Sequence, residues 1–138
     1  MSDLERLSLS IEKPLLQELE KLVRRSRYTN RSEFVRDMIR EQLVERQWEQ
    51  DDEALGTITM VYKHDQRGLS DRLTTLQHDH HREILFTTHV HLDKHLCAEV
   101  ILVRGRASRI RRVADDLRRQ RGVLHAALAI SSTGQRLT

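Results

Sequence analysis

Ile84-Leu85-Phe86-Thr87-Thr88-His89-Val90-His91-Leu92-Asp93-Lys94-His95-Leu96-Cys97-Ala98-Glu99-Val100-Ile101-Leu102-Val103 is the stretch whose reading decides the fold. Its two ends are apolar and rich in β-branched residues, which predicts two buried strands, at 83–92 and 96–103. The polar pair Asp93-Lys94 suits a turn at Leu92–His95, although the glycine usual in a tight hairpin is absent. His89 and His91 are two residues apart, so on a strand both imidazoles leave the same face. Kept extended, the chain from His91 to Cys97 would span about 20 Å, too far for one metal ion to touch both. The turn folds the single cysteine back beside the histidine pair. Imidazole nitrogen with thiolate sulfur is a donor set for Ni(II), Cu, Zn or Co(II), not for Mg or Ca.

A plainer reading competes with this one. A His-x-His on a strand is usually two partly exposed polar residues, and a lone cysteine is usually a small buried hydrophobe. The neighbourhood favours metal: of 8 histidines in 138 residues, His78, His80, His81, His89, His91 and His95 fall within eighteen positions.

Outward from the hairpin the pattern stays regular. Thr57–Tyr62 reads as a strand and His64-Asp65-Gln66-Arg67-Gly68 as a loop. Leu69, Leu73 and Leu76 mark a helix ending near His78–Arg82. Gly105 breaks the chain, and Ile110, Val113, Ala114 and Leu117 mark a helix over 107–120, stopped by Arg121-Gly122. Val123–Ile130 is a last strand and Ser131–Thr138 a frayed tail. This order, β-α-β-β-α-β, predicts a ferredoxin-like (ACT-type) domain: an antiparallel sheet with two helices on one face. Glu99 is the one acid close to the histidine–cysteine group, and His64, His95 and His125 read as surface or network residues. No catalytic triad, Gly-rich phosphate loop or paired acid/base site stands out, so the chain is not read as an enzyme.

The first fifty residues read differently. Arg6-Leu7-Ser8-Leu9-Ser10-Ile11 alternates strictly, a half-buried strand with no second strand nearby. Pro14 opens a helix carrying Leu15, Leu16, Leu19, Leu22 and Val23 at helical period. Asn30, with Glu33 three residues on, starts a second helix whose apolar stripe is Phe34, Val35, Met38, Ile39 and Leu43. A lone strand leaves its ladder unpaired, and the same strand of a second copy completes it. The resulting two-stranded ribbon over four helices fits the major groove of B-DNA, presenting Arg6, Ser8 and Ser10 from each chain. Asn30 and Arg31, at a helix start, suit a phosphate. Gln47–Glu53 is polar and acidic without apolar period, with Trp48 a lid on a small hydrophobic face. The expected division is therefore a ribbon-helix-helix domain at 1–48, a linker at 49–54 and the ferredoxin-like domain at 55–138, an α+β chain overall.

Composition bounds the rest. Charged residues make up 33% of the chain and hydrophobic ones 38%, so each half has a modest core that oligomerisation would complete. One cysteine excludes an internal disulfide and suits a reducing cytoplasm. There is no run of 18 apolar residues and no signal-peptide pattern, which predicts a cytoplasmic protein without a membrane span. The net charge of +3 is a weak hint of a polyanionic partner: residues 1–50 carry 10 basic and 10 acidic side chains, and residues 51–138 carry 14 and 11.

Taken together, Asn30-Arg31-Ser32-Glu33, Gln77-His78, His89-Val90-His91 and Cys97-Ala98-Glu99 resemble the nickel-responsive transcriptional regulators, the NikR family, over residues from about 5 to 130. The resemblance implies a planar nickel site of three histidines and one cysteine: His89, His91 and Cys97 of one chain, with His78 from a neighbouring subunit. It implies one Ni(II) per subunit and supporting roles for Tyr62 and Glu99 around the site. It also implies a homotetramer, a dimer of dimers, that represses transcription by binding an operator through Arg6, Ser8 and Ser10. Arg67 matches a loop position that approaches the DNA backbone, and Glu33 and Asp37 match acids where the family holds a second cation. Ser stands on the reading strand where the family more usually has Thr, and the Asp79-His80-His81 stretch does not fully repeat the family's. Cys97 must lose its proton to bind metal, so acid weakens binding. The rivals are the same regulator tuned to copper or cobalt, a metal-storage protein or metalloenzyme that does not bind DNA, and a ribbon-helix-helix antitoxin.

Overall fold

The computed structural model describes residues 3–138. The elements in chain order are α1 (Lys13–Arg25), α2 (Arg31–Glu49), β1 (Glu53–Lys63), α3 (Leu69–Asp79), β2 (Ile84–His91), β3 (Leu96–Arg106), α4 (Ala107–Arg118) and β4 (Val123–Ser131). They divide into two compact units, one of the described residues up to Leu43 with Arg136–Thr138, the other of Val44–Gln135.

In the first unit Pro14 occupies the first turn of α1, where its missing N–H costs no hydrogen bond, and Arg24 and Arg25 sit in the last turn. Arg27 turns the chain with φ 58°, and Asn30 Oδ1 accepts the Glu33 amide at 2.9 Å to cap α2. Val23 and Phe34 are buried, and the Tyr28 ring meets Phe34 edge-on at 5.4 Å. Residues 3–12 form no strand within the chain, and Leu7 and Leu9 are 84% and 75% exposed. The strand expected at 6–11 thus forms no ladder among the described residues, and its backbone groups are left without one.

The second unit is a four-stranded antiparallel sheet in the order β2-β3-β1-β4. Along β1 the residues Ala54, Gly56, Ile58 and Met60 are buried, the alternation of a strand with one packed face. They meet Leu69 and Leu73 of α3, and Ile110, Val113, Ala114 and Leu117 of α4. A Cβ on Gly56 would lie 3.1 Å from Leu128, 3.2 Å from Ile110 and 3.3 Å from Trp48, so the residue is kept small by close packing.

Several sequence expectations shift here. β1 begins at Glu53 rather than Thr57, and β3 runs to Arg106 rather than Val103, because the two pair from Glu53↔Arg106 to Lys63↔Leu96. The stretch read as a linker, 49–54, is the end of α2, a turn and the start of β1. Its acids have structural work: Asp51 Oδ1 accepts the Ser108 amide at 2.7 Å and the Asp52 carbonyl accepts the Ala107 amide, together capping α4. That hydrogen bonding holds the Asp51 carboxyl below its ordinary range. Trp48 is buried, donates Nε1–H to the Ser131 carbonyl at 2.8 Å, and carries the Arg111 guanidinium over its ring at 5.2 Å. The tail is tied rather than frayed, since Gln47 Nε2 donates to the Gln135 carbonyl and Ser132 Oγ to Gln47 Oε1.

Candidate metal centre

Cys97 stands near the start of β3, between β2 and β1. Its direct partner across β2 is His91, and across β1 it is Tyr62. Directly opposed residues share a face of the sheet, so thiol and imidazole must meet. The hairpin that brings them together is closed by Asp93, whose Oδ1 accepts the amides of His95 at 2.7 Å and Leu96 at 2.9 Å. This side-chain turn substitutes for the missing glycine.

Cys97 is 1% exposed, and its Sγ lies 3.2 Å from His91 Nδ1. A second imidazole arrives from outside the predicted set: His64 Nδ1 is 3.5 Å from Sγ. The His64 amide donates to the His95 carbonyl at 2.6 Å, carrying the β1–β3 pairing past Lys63↔Leu96. Ligand atoms of His64, His91 and Cys97 all lie within 4.8 Å of one another. The sequence reads His64 as a surface or network residue; it is exposed, yet its ring reaches the thiol. The one signal that could have found it was register: if Tyr62 opposes Cys97, position 64 passes the end of β3.

His89 is opposed to Glu99, one pleat along from His91, and its ring centroid is 6.0 Å from that of His91. It is exposed, as is nearly all of β2, because α4 packs on β4, β1 and β3. The helix-side face of this edge strand is therefore open to an incoming group. His78 lies exposed near the end of α3, its ring stacked at 5.9 Å on that of His81, and is not in the cluster of one chain. His80 is paired with Asp116 of α4 at 3.1 Å and His95 with Asp65 at 3.1 Å, while His125 is exposed.

Glu99 is buried and satisfied. Its Oε1 accepts Thr87 Oγ1–H at 2.5 Å and Gln77 Nε2–H at 3.1 Å, so it ties β2 and the end of α3 to β3. Tyr62 is half-buried, and its phenol is pushed up to about 12, first by burial and then by the negative charge of Glu99 and Cys97.

In the first unit Arg6, Ser8 and Ser10 are exposed, Asn30 is engaged as the cap of α2, and Arg31 is ion-paired with Glu20. Glu33 pairs with Arg36. Asp37 accepts the Tyr28 hydroxyl at 2.5 Å and Arg40 Nη1 at 2.7 Å, which lower its pKa. Arg67, in the loop before α3, is exposed.

Two family models match the chain: the NikR C terminal nickel binding domain over residues 55–131, and the ribbon-helix-helix protein, copG family, over residues 5–46. The chain belongs to the nickel-responsive regulator family. Relatives whose names class them as nickel-responsive regulators are similar to it over nearly the whole length. One from Geobacter metallireducens is 46% identical across 99% of both chains. One from Caldanaerobacter subterraneus is 46% identical across 96% of this chain and 86% of its own, and one from Pyrococcus abyssi is 44% identical across 98% and 99%. Among solved structures, an uncharacterized protein from Thermotoga maritima matches with TM-score 0.52 and 14% identity, over 57% of this chain and 98% of its own, a likeness of fold alone. The regulator is thus an α+β protein with a ribbon-helix-helix domain, a nickel-binding domain and no enzymatic role. No helix among the described residues is long and apolar enough to cross a membrane.

Proposed function

We propose that this regulator is a nickel-dependent repressor that binds operator DNA as a tetramer in the cytoplasm. The observation that carries the reading is the opposition of His91 and Cys97 across β2–β3 on an edge strand whose helix-side face is open. A buried thiol beside imidazole nitrogens is a donor set suited to Ni(II). His89, His91 and Cys97 would hold one nickel ion per subunit, with His78 of the partner subunit completing the set. When bound, the ion supplies a four-donor link between subunits. Everything else falls to this chain. Glu99 holds Gln77, the residue before His78, against β3, and so sets where the end of α3 lies. Tyr62 and Thr87 close the site around the thiol and Glu99.

In this reading residues 1–48 read DNA and 55–138 sense metal. Paired N-terminal strands would present Arg6, Ser8 and Ser10 to base edges, while Asn30, Arg31 and Arg67 meet phosphates. Glu33 and Asp37 would take a second cation only by releasing Arg36, Tyr28 and Arg40. A metal that favours the DNA-competent arrangement acts as a coupling of about 1–3 kcal/mol between the sites.

The test is selection of a random-sequence duplex pool with metal-free and nickel-loaded protein. A two-fold symmetric sequence should be enriched only with nickel, its retention falling steeply with salt. His89→Ala and Cys97→Ala should abolish that enrichment. Equal enrichment without nickel, or in either variant, would defeat the reading.

A further inference from the structure

We propose that the cleft between the start of β2, the end of β3 and the first turn of α4 is a binding site for a small phosphate-bearing polyanion of the pyrophosphate type. It goes beyond the nickel reading and uses none of that site's donors.

The cleft holds about 410 Å³, within the range of small-molecule sites, about 300–1,000 Å³. Arg82, Arg104, Arg106 and Arg109 line it, against Glu53 and Glu83. Four guanidinium groups against two carboxylates leave a surplus of at least two positive charges. Like charges gathered on a concave wall repel one another and draw in an anion. The surplus matches a dianion or a higher charge, and the guanidinium fork takes phosphate oxygens two at a time. The cleft lies at the far end of the sheet from the thiol. Cys97 and Arg104 are seven residues apart on β3, about 23 Å at the rise of a strand.

The two carboxylates orient two of the arginines and leave the other two to a ligand. Arg104 donates Nε–H to Glu53 Oε1 at 3.0 Å and its backbone amide to the Glu83 carbonyl at 2.7 Å. Arg109 Nη1 lies 3.5 Å from Oε1 of Glu83, which is buried. A guanidinium has five N–H donors, so Arg104 and Arg109 keep most of theirs while their orientation is already set. Arg82 makes no side-chain hydrogen bond or ion pair among the described residues. Arg106 is exposed and acts on Asp51 through its charge. The helix end is not what holds the ligand, because the amides of Ala107 and Ser108 are taken by the Asp52 carbonyl and Asp51 Oδ1. The site is therefore made of side chains. Glu83 keeps an anion off the buried wall, and the ligand meets Arg82 and Arg106 beside the oriented pair. A concave cleft of this size admits a free ligand of two or three phosphoryl groups more readily than the convex rim of a duplex.

The experiment is calorimetric titration of the full-length, metal-free protein with sodium pyrophosphate, and separately with inorganic phosphate, at low ionic strength. Pyrophosphate should bind at one site per chain, more tightly than phosphate, and less tightly as salt rises. Arg82→Gln with Arg106→Gln should weaken pyrophosphate binding about tenfold or more. Nickel binding by that double variant, followed by absorption, should be unchanged, which shows the fold intact. Arg119→Gln with Arg121→Gln removes the same charge from exposed positions outside the cleft and should leave pyrophosphate binding as it was. No pyrophosphate binding by the wild type, undiminished binding by the cleft variant, or equal weakening in both double variants overturns the proposal. Should the wild type take no pyrophosphate while the cleft variant loses duplex retention, the arginines belong to the DNA backbone instead. Loss of nickel binding by the wild type with pyrophosphate binding intact would defeat the nickel reading alone.

Discussion

Tyr62 shows how the site is written into single residues. Its phenol sits half-buried over Cys97 and beside Glu99, and both burial and negative charge favour the protonated form. Its folded pKa, about 12, lies above the ordinary value of 10.0. The stability this contributes is complete below pH 10 and is lost as pH rises toward 12, where the folded form also ionises. Tyr62→Phe should accordingly lose less stability between pH 10 and 12 than the wild type, measured by urea melts across that range; an unaltered alkaline slope would show the phenol to be solvated. Tyr28, raised by its bond to Asp37, remains in both proteins and so does not enter the difference between them. At this scale the meeting of His91 with Cys97 was legible, because spacing on a strand and one turn suffices to relate them. His64 was not, because its place depends on β1 lying next to β3, which no local pattern reports.

At the scale of elements, the hairpin and the strand beside it do different work. The β2–β3 turn is held by one carboxylate taking two amides, and those bonds keep the Asp93 pKa below its ordinary 3.8. Asp93→Ala should lower the melting temperature at pH 7 and weaken nickel binding by loosening the His91–Cys97 opposition. A depressed carboxylate stabilises only while ionised in the folded chain, so the gap between variant and wild type should close as pH falls below about 3.8. Calorimetry at pH 7 and pH 3 checks both halves. In the core, Ile58 on β1 is 0% exposed beneath both helices. Ile58→Ala should cost about 2–5 kcal/mol in denaturant unfolding. The elements of the second unit were readable because each alternates or repeats at its own period. Their ends were not: β1 starts at Glu53 because Arg106 lies opposite, and the acids at 51 and 52 belong to the start of α4, a helix more than fifty residues later.

For the molecule as a whole, what is left uncovered matters most. Leu7 and Leu9 are among the most exposed apolar residues of the first unit, on a segment with no strand partner among the described residues. Phe86 and Val90, opposed to Leu102 and Ala98, lie exposed on the sheet face turned away from the helices. Exposed apolar surface of this extent marks association. Leu7→Glu with Leu9→Glu should halve the assembly size in sedimentation velocity and remove DNA retention, with nickel binding by the second unit preserved. A double variant with unchanged sedimentation would show that the N-terminal strand takes no part in pairing.

Sequence alone determined the two-part organisation, the order of the elements of the second unit and the meeting of His91 with Cys97. Each of these rests on relations between near neighbours: a period, a cap, a turn of four residues. Tertiary structure decided that His64 stands at the thiol, that Glu99 ties β2 and α3 together, that Trp48 and the tail are held in place, and that residues 3–12 form no strand among the described residues. Those depend on which strands lie side by side and in what register, and register comes from the packing of a whole sheet against its helices rather than from any stretch of the chain by itself.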